Sequence, residues 1–246
     1  MHHHVSGVAR DRYTRVAIIL HWAIAAFIIL NLSIGFFMED WPLPIGFIAL
    51  MVHISSGLTV LALTVARVVW RLVNHPPPYP AGMKPWERHT AHFAHFLLYA
   101  AMVLMPLSGW AIISAHPPPG SRGAAVQSVL LPGAPPGMQP GAARGAMPGR
   151  PPGPPGPPGS PGSPPALKVW NLIPLPMIAA IEAIGAEPGG VAPQHALHDD
   201  FVAWHSVGGF LLLALLLLHV AGALKHQLID RQFELARMGI GRTRQA

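Results

Sequence analysis

The amino-acid sequence predicts an all-α membrane protein, a four-helix transmembrane bundle with a long Pro/Gly-rich periplasmic loop, on three observations. Of 246 residues, 51% are hydrophobic and only 11% charged, a balance that soluble chains of this size rarely carry. Four stretches supply the roughly 20 apolar residues that cross a hydrocarbon layer: 16–38, 45–72, 90–115 and 201–224. Between the third and fourth lies a long segment whose first half is dominated by proline and glycine.

Arg10, Arg12 and Arg15 precede the first span, and Glu39 and Asp40 follow it. The run is too long for a signal-peptide apolar region, and Gly35-Phe36-Phe37-Met38-Glu39 offers no small-residue cleavage site, so it is expected to stay as a helix. His2–His4 are set aside. Arg67, Arg71, Lys84 and Arg88 surround the connection between spans two and three. Lys225, Arg231, Arg237, Arg242 and Arg244 follow span four. By the positive-inside rule this places both termini and the second connection on the cytoplasmic side of a multi-pass membrane protein. The net charge of +6 thus reads as topology. The bases form no patch interleaved with aromatics, so no nucleic-acid partner is expected.

Residues 1–115 hold the first three spans, 116–200 the outer loop, and 201–246 the fourth span and a cytoplasmic tail, one membrane domain in all. Around Gly153-Pro154-Pro155-Gly156 the loop keeps a three-residue period, read as a stiff polyproline-type spacer in preference to collagen. Its second half runs from Trp170-Asn171-Leu172-Ile173-Pro174 into an apolar stretch at 178–186. That stretch is too short to span and is expected to lie at the outer interface as a short helix. No internal repeat is evident.

The absence of cysteine excludes disulfides, iron–sulfur clusters and covalently attached haem. Histidines interrupt the spans, and ionisable groups there are costly and usually functional. His205 and His219 are fourteen residues apart on span four, close to four whole turns and about 21 Å of rise. Both imidazoles then project from one face, near opposite membrane surfaces, as a helix giving one ligand to each of two haems requires. Counted from the span ends, His21 and His219 each lie about 9 Å inside the cytoplasmic side. His53 lies roughly 11 Å inside the outer side, and His205 is similarly shallow. The expected couples are therefore His21/His219 and His53/His205, each holding a haem b iron as its metal. Ser55-Ser56-Gly57, Ser206, Gly208 and Gly209 would let a flat macrocycle lie against the backbone; helix packing is the plainer reading. Arg15 and Arg67 are candidate propionate partners or simple membrane-boundary residues.

His92 and His95, near the cytoplasmic end of span three, have three readings: a replacement haem ligand, a quinone site with Lys84 and His226, or interfacial residues without a task. His75, His89, His116, His195 and His198 fall in connections, where solvation is the expectation. His195-x-x-His198 with Asp199 also has metal-ligand spacing.

Tyr13-Thr14-Arg15 with His21-Trp22, and His53-Ile54-Ser55-Ser56-Gly57 with Arg67 and Arg71, carry a family resemblance. So do Ala91-His92-Phe93-Ala94-His95 and Trp204-His205 with His219. Together they resemble the bacterial cytochrome b561 family, over roughly 13–115 and 169–225. The resemblance implies four helices and two non-covalent haems, with ligands at His21, His53, His205 and His219. It also implies electron transfer involving the quinone pool, some members oxidising superoxide at the periplasmic face. The proline-rich insertion from 115 to about 166 departs from the family pattern and leaves the outer donor site unassigned.

The expected function is electron transfer across the inner membrane, from a periplasmic donor by way of two haem b groups to quinone, with membrane lipid as the surrounding partner. A haem-bearing anchor subunit of a dehydrogenase or hydrogenase would use the same four helices. A histidine-using transporter or metal-handling protein is a further alternative. It would call for intramembrane acids, and no span has a central Asp or Glu. The electron donor, the direction of flow and the oligomeric state are not readable from the chain.

Overall fold

The computed structural model describes residues 12–42, 44–79, 82–130, 167–231 and 234–241. Four of its helices are long and apolar enough to cross a membrane: α1 (Arg15–Phe37), α2 (Ile45–Val73), α3 (Pro85–Ser114) and α6 (Val191–Leu224). The shorter elements are α4 (Arg122–Leu130), β1 (Lys168–Val169), β2 (Ile173–Pro174), α5 (Ala179–Glu182) and α7 (Glu234–Arg237). The Pro/Gly-rich period around 153–162 lies outside the described residues.

The first two helices begin and end within two residues of the expected spans, because hydropathy alone fixes them. The other two start earlier than expected. Pro85 occupies the first position of α3, where its missing N–H costs nothing. Glu87 reaches back to the Lys84 backbone N–H at 3.0 Å, the acidic half of a capping box. In α6, Pro193 sits in the first turn, where no helical donor is required. The polar run His195 to Asp200 is therefore helical, and His195 and His198 lie on α6, not in a connection. The final turn of that region relaxes into a π-helix over Lys225–Ile229.

The chain divides into two compact units. The first comprises 12–42, 56–104 and 208–241 of the described residues. Thr14 caps α1, its hydroxyl accepting from the Ala17 N–H, and the same oxygen accepts from Trp70 Nε1 of α2 at 2.9 Å. Trp22 Nε1 donates to the Met238 carbonyl at 3.0 Å, fixing the tail on α1. Small polar Ser56 and Thr64 are fully buried, while Ile19, Leu72, Phe93 and Leu217 are exposed. Small residues in helix interfaces and large apolar ones facing outward are what lipid solvation demands.

The second unit comprises 44–55, 105–130 and 167–207 of the described residues. Here the β1–β2 hairpin, turning through Trp170 and Asn171 at positive φ, donates the Trp170 N–H to Ser55 Oγ at 2.8 Å. Ser114 Oγ accepts from the Ile178 N–H at 3.0 Å, and Trp110 Nε1 donates to the Pro176 carbonyl. The short helix expected within 178–186 is present as α5 and a following 3₁₀ turn.

The loop reading needs one correction. Residues 122–130, within the half of the outer loop dominated by proline and glycine, form α4, capped by Ser121 Oγ on the Ala124 N–H at 3.1 Å. Its Gly123 N–H donates to the Ala186 carbonyl at 3.0 Å. A Cβ at Gly123 would lie 1.8 Å from the Gly185 carbonyl oxygen, so only glycine permits the approach. Glycine and alanine here serve close packing, which composition cannot distinguish from a linker.

Candidate functional site

Two histidine couples are the chemically distinctive features of the long helices. In the first unit, His21 of α1 and His219 of α6 have ring centroids 6.1 Å apart with planes at 69°. In the second, His53 of α2 and His205 of α6 stand 6.0 Å apart at 73°. All four are partly buried. Two imidazoles on opposite sides of one metal, each at a bond length of about 2.0–2.1 Å, hold their centroids roughly 6 Å apart. Both couples match that separation.

His219 has a second neighbour, since the His95 ring lies 5.3 Å away at 72°. That distance is short for opposite ligation and ordinary for edge-to-face packing. His95 Nδ1 donates to the Ala91 carbonyl at 2.7 Å in the neutral tautomer.

The surroundings of His205 fix its tautomer. Ser108 Oγ donates to the Met105 carbonyl at 2.8 Å and lies 2.8 Å from His205 Nδ1. With the hydroxyl proton engaged, Nδ1 must be the donor, and the lone pair falls on Nε2, the arrangement a ligating imidazole needs. Gly109 lets α3 approach this ring: a Cβ there would lie 3.3 Å from His205 Cε1. These observations fit a haem iron between each couple. The donors are paired imidazoles, Ser108 orients the His205 ring, and no thiolate competes.

The small residues near the couples divide. Ser55 holds the β-hairpin, and Gly57 faces Asn31, whose Nδ2 would be 3.1 Å from an added Cβ. Gly57 is thus a helix-packing residue, as the plainer reading had it. Gly209 has open space around it.

Arg67 Nε donates to Tyr99 OH at 3.0 Å. Arg67 also lines an open cleft with Arg12, Arg71, Tyr13 and Trp70. Arg15 is exposed at the first turn of α1 and does not line that cleft, whereas Arg12 and Arg71 do.

The residues proposed for quinone are divided. His95 sits against His219, whereas His226 belongs to a separate cluster, which Lys84 touches through its backbone N–H on Glu87. There, Lys225 Nζ bridges Glu87 Oε1 at 2.6 Å and Asp230 Oδ2 at 2.7 Å, and His226 Nδ1 lies 2.7 Å from the same Asp230 oxygen. The hydrogen bond from Lys225 holds the Asp230 carboxyl below the usual carboxylate range, against the opposing effect of burial. His92 is exposed with its ring against Tyr79 at 5.1 Å. Sequence reasoning missed Glu87, Asp230, Ser108 and Gly109. An acidic residue in the first turn after Pro85 is the helix-start signal that points to Glu87, but nothing in sequence joins Ser108 to a histidine 97 residues away.

The profile of the family described as prokaryotic cytochrome b561 matches residues 12–241. Among curated proteins, the chain is 27% identical over 111 residues to cytochrome b561 homolog 2 of Escherichia coli, covering 44% of this chain and 59% of that one. It is 34% identical over 106 residues to cytochrome b562 of Cereibacter sphaeroides, covering 39% and 63%. It is 26% identical over 102 residues to a probable superoxide oxidase, CybB, of Yersinia pestis, covering 42% and 58%. The alignments thus span about 58–63% of the length of these relatives.

Proposed function

The chain belongs to the prokaryotic cytochrome b561 family, and on that premise we propose that it is a di-haem b-type cytochrome of the bacterial inner membrane. It passes electrons between a periplasmic donor and the quinone pool. The observation that carries this reading is the separation of the two histidine couples, 6.1 Å for His21/His219 and 6.0 Å for His53/His205. When bound, haem b supplies reversible one-electron chemistry whose potential follows axial ligation, burial and hydrogen bonding.

The chain's own residues hold, orient and insulate. His53 and His205 form the outer couple, with Ser108 keeping the Nδ1 proton of His205 engaged. His21 and His219 form the cytoplasmic couple. Arg67, together with Arg12 and Arg71 around the cleft, is the cationic partner for carboxylate side groups there, and Arg15 is a further candidate. Lys84, His95 and His226 are the proposed quinone contacts. Reducing a quinone to quinol takes two electrons and two protons, and Lys225 Nζ and His226 Nδ1 bear protons beside Asp230. Superoxide is the proposed donor, giving dioxygen and one electron; a relative named as a probable superoxide oxidase supports that choice. Inward electron movement against a negative-inside potential costs about 2.3 kcal/mol per 100 mV, so the donor must be the stronger reductant by at least that amount.

Acid–acetone extraction and redox titration of single-histidine variants test the reading. Two extractable haems per chain are expected. His53→Ala and His205→Ala should lose the same redox component, and His21→Ala and His219→Ala the other. His92→Ala and His95→Ala should keep both. A count near one, or His95→Ala removing a haem that His21→Ala spares, overturns the assignment.

A further inference from the structure

A second group of histidines lies away from the two couples, within the second unit. His116 follows the end of α3 by two residues, and His195 and His198 are three residues apart on the first turns of α6. Residues three apart on a helix share a face. The His116 and His198 rings are 5.2 Å apart at 76°, and His195 and His198 are 6.2 Å apart. Imidazoles sharing one tetrahedral metal hold their centroids roughly 5 Å apart.

The outer partners of these rings suit metal binding. Asp199 lies between the two α6 histidines, with Oδ2 at 3.2 Å from His195 Nδ1 and Oδ1 at 3.3 Å from His198 Nδ1. A carboxylate against Nδ1 draws the ring proton there and leaves the Nε2 lone pair to ligate. His116 is hydrogen-bonded to the Ile113 carbonyl, which takes the proton of one ring nitrogen and leaves the other to ligate. Metal-binding histidines almost always carry such a partner. His195 is half exposed, with 53% of its side chain accessible, so it can swing toward the other two.

We propose that His116, His195 and His198, oriented by Asp199 and the Ile113 carbonyl, form a binding site for a divalent transition-metal ion of the zinc class. Three imidazoles select Zn²⁺, Cu²⁺ or Ni²⁺ over Mg²⁺ and Ca²⁺, which prefer oxygen. A bound ion ties the segment after α3 to the start of α6. The site is independent of the electron-transfer reading, and neither stands or falls with the other.

The test is calorimetric titration of the haem-loaded full chain, stripped of free metal, with Zn²⁺ alone. His2–His4 are replaced by alanine in every arm, so that the terminal run adds no site. One Zn²⁺ per chain is expected, with no competition from Mg²⁺. Asp199→Asn should weaken binding about 10–100-fold. His195→Ala and His198→Ala should weaken it at least as much, with the haem spectrum unchanged as the check on folding. Asp230→Asn, which alters the separate Glu87–His226–Asp230 group, should leave zinc affinity unchanged. Absence of stoichiometric binding overturns the proposal. So does binding indifferent to His195→Ala and His198→Ala, or binding lost in Asp230→Asn.

Discussion

Replacing Ser108 by alanine isolates the orientation of one ligand from its identity. The Ser108 hydroxyl sits 2.8 Å from His205 Nδ1, and a neutral hydrogen bond contributes about 0.5–1.5 kcal/mol net. Leaving the buried Nδ1–H wholly unpaired would cost about 1–3 kcal/mol. The Met105 carbonyl, which also lies within hydrogen-bonding reach of His205, can take that proton. The loss therefore belongs near the lower end, about 1 kcal/mol, which is roughly a fivefold loss of haem affinity at one site. Haem retention under competition by apomyoglobin, with redox titration in parallel, reads the effect. One component should shift and become easier to lose, while the component proposed for His21 and His219 stays put. Equal weakening of both components, or no change in either, would refute the idea that Ser108 orients a ligand.

Two further outcomes follow from the fold. Deleting residues 132–165, whose composition cannot build a core, should leave haem content unchanged. Deleting 121–165 also removes the buried Ala124 and the Gly123 hydrogen bond to Ala186, and should lower Tm by about 2–4 °C for each kcal/mol lost; equal effects of the two deletions in thermal melts would contradict the packing of α4. Because Lys225 depresses the Asp230 pKa, the stabilisation it brings is present above the unfolded carboxylate value, about 3.9, and fades as pH falls through the folded one. Asp230→Asn should therefore flatten the acid limb of a stability-versus-pH curve, and an unchanged limb would show that the group does not contribute.

The spans were legible because a run of apolar residues has few other uses, and the couples because fourteen residues on one helix fix both depth and face. What escaped was set by contacts between distant residues. Ser108 and Gly109 read as ordinary small residues of a packed helix until His205 is placed beside them. The start of α6 was obscured by Pro193 and by the polar run His195 to Asp200, which suggest a connection although the first turn tolerates both. His116 was assigned to solvent because its partner His198 is 82 positions on. The Lys225 bridge joins Glu87 to Asp230 across a still longer gap, and each alone looks like a boundary charge.

Both couples draw their second member from α6, the last of the four long helices to be made. His53 is synthesised 152 residues before His205, an interval of roughly 8–30 s at ribosomal speeds. Throughout it, the first three long helices exist without α6. A chain stopped before α6 therefore completes neither couple. On the proposed di-haem reading, haem loading then reports on complete biosynthesis, and premature termination is expected to give a colourless product in place of a one-haem cytochrome.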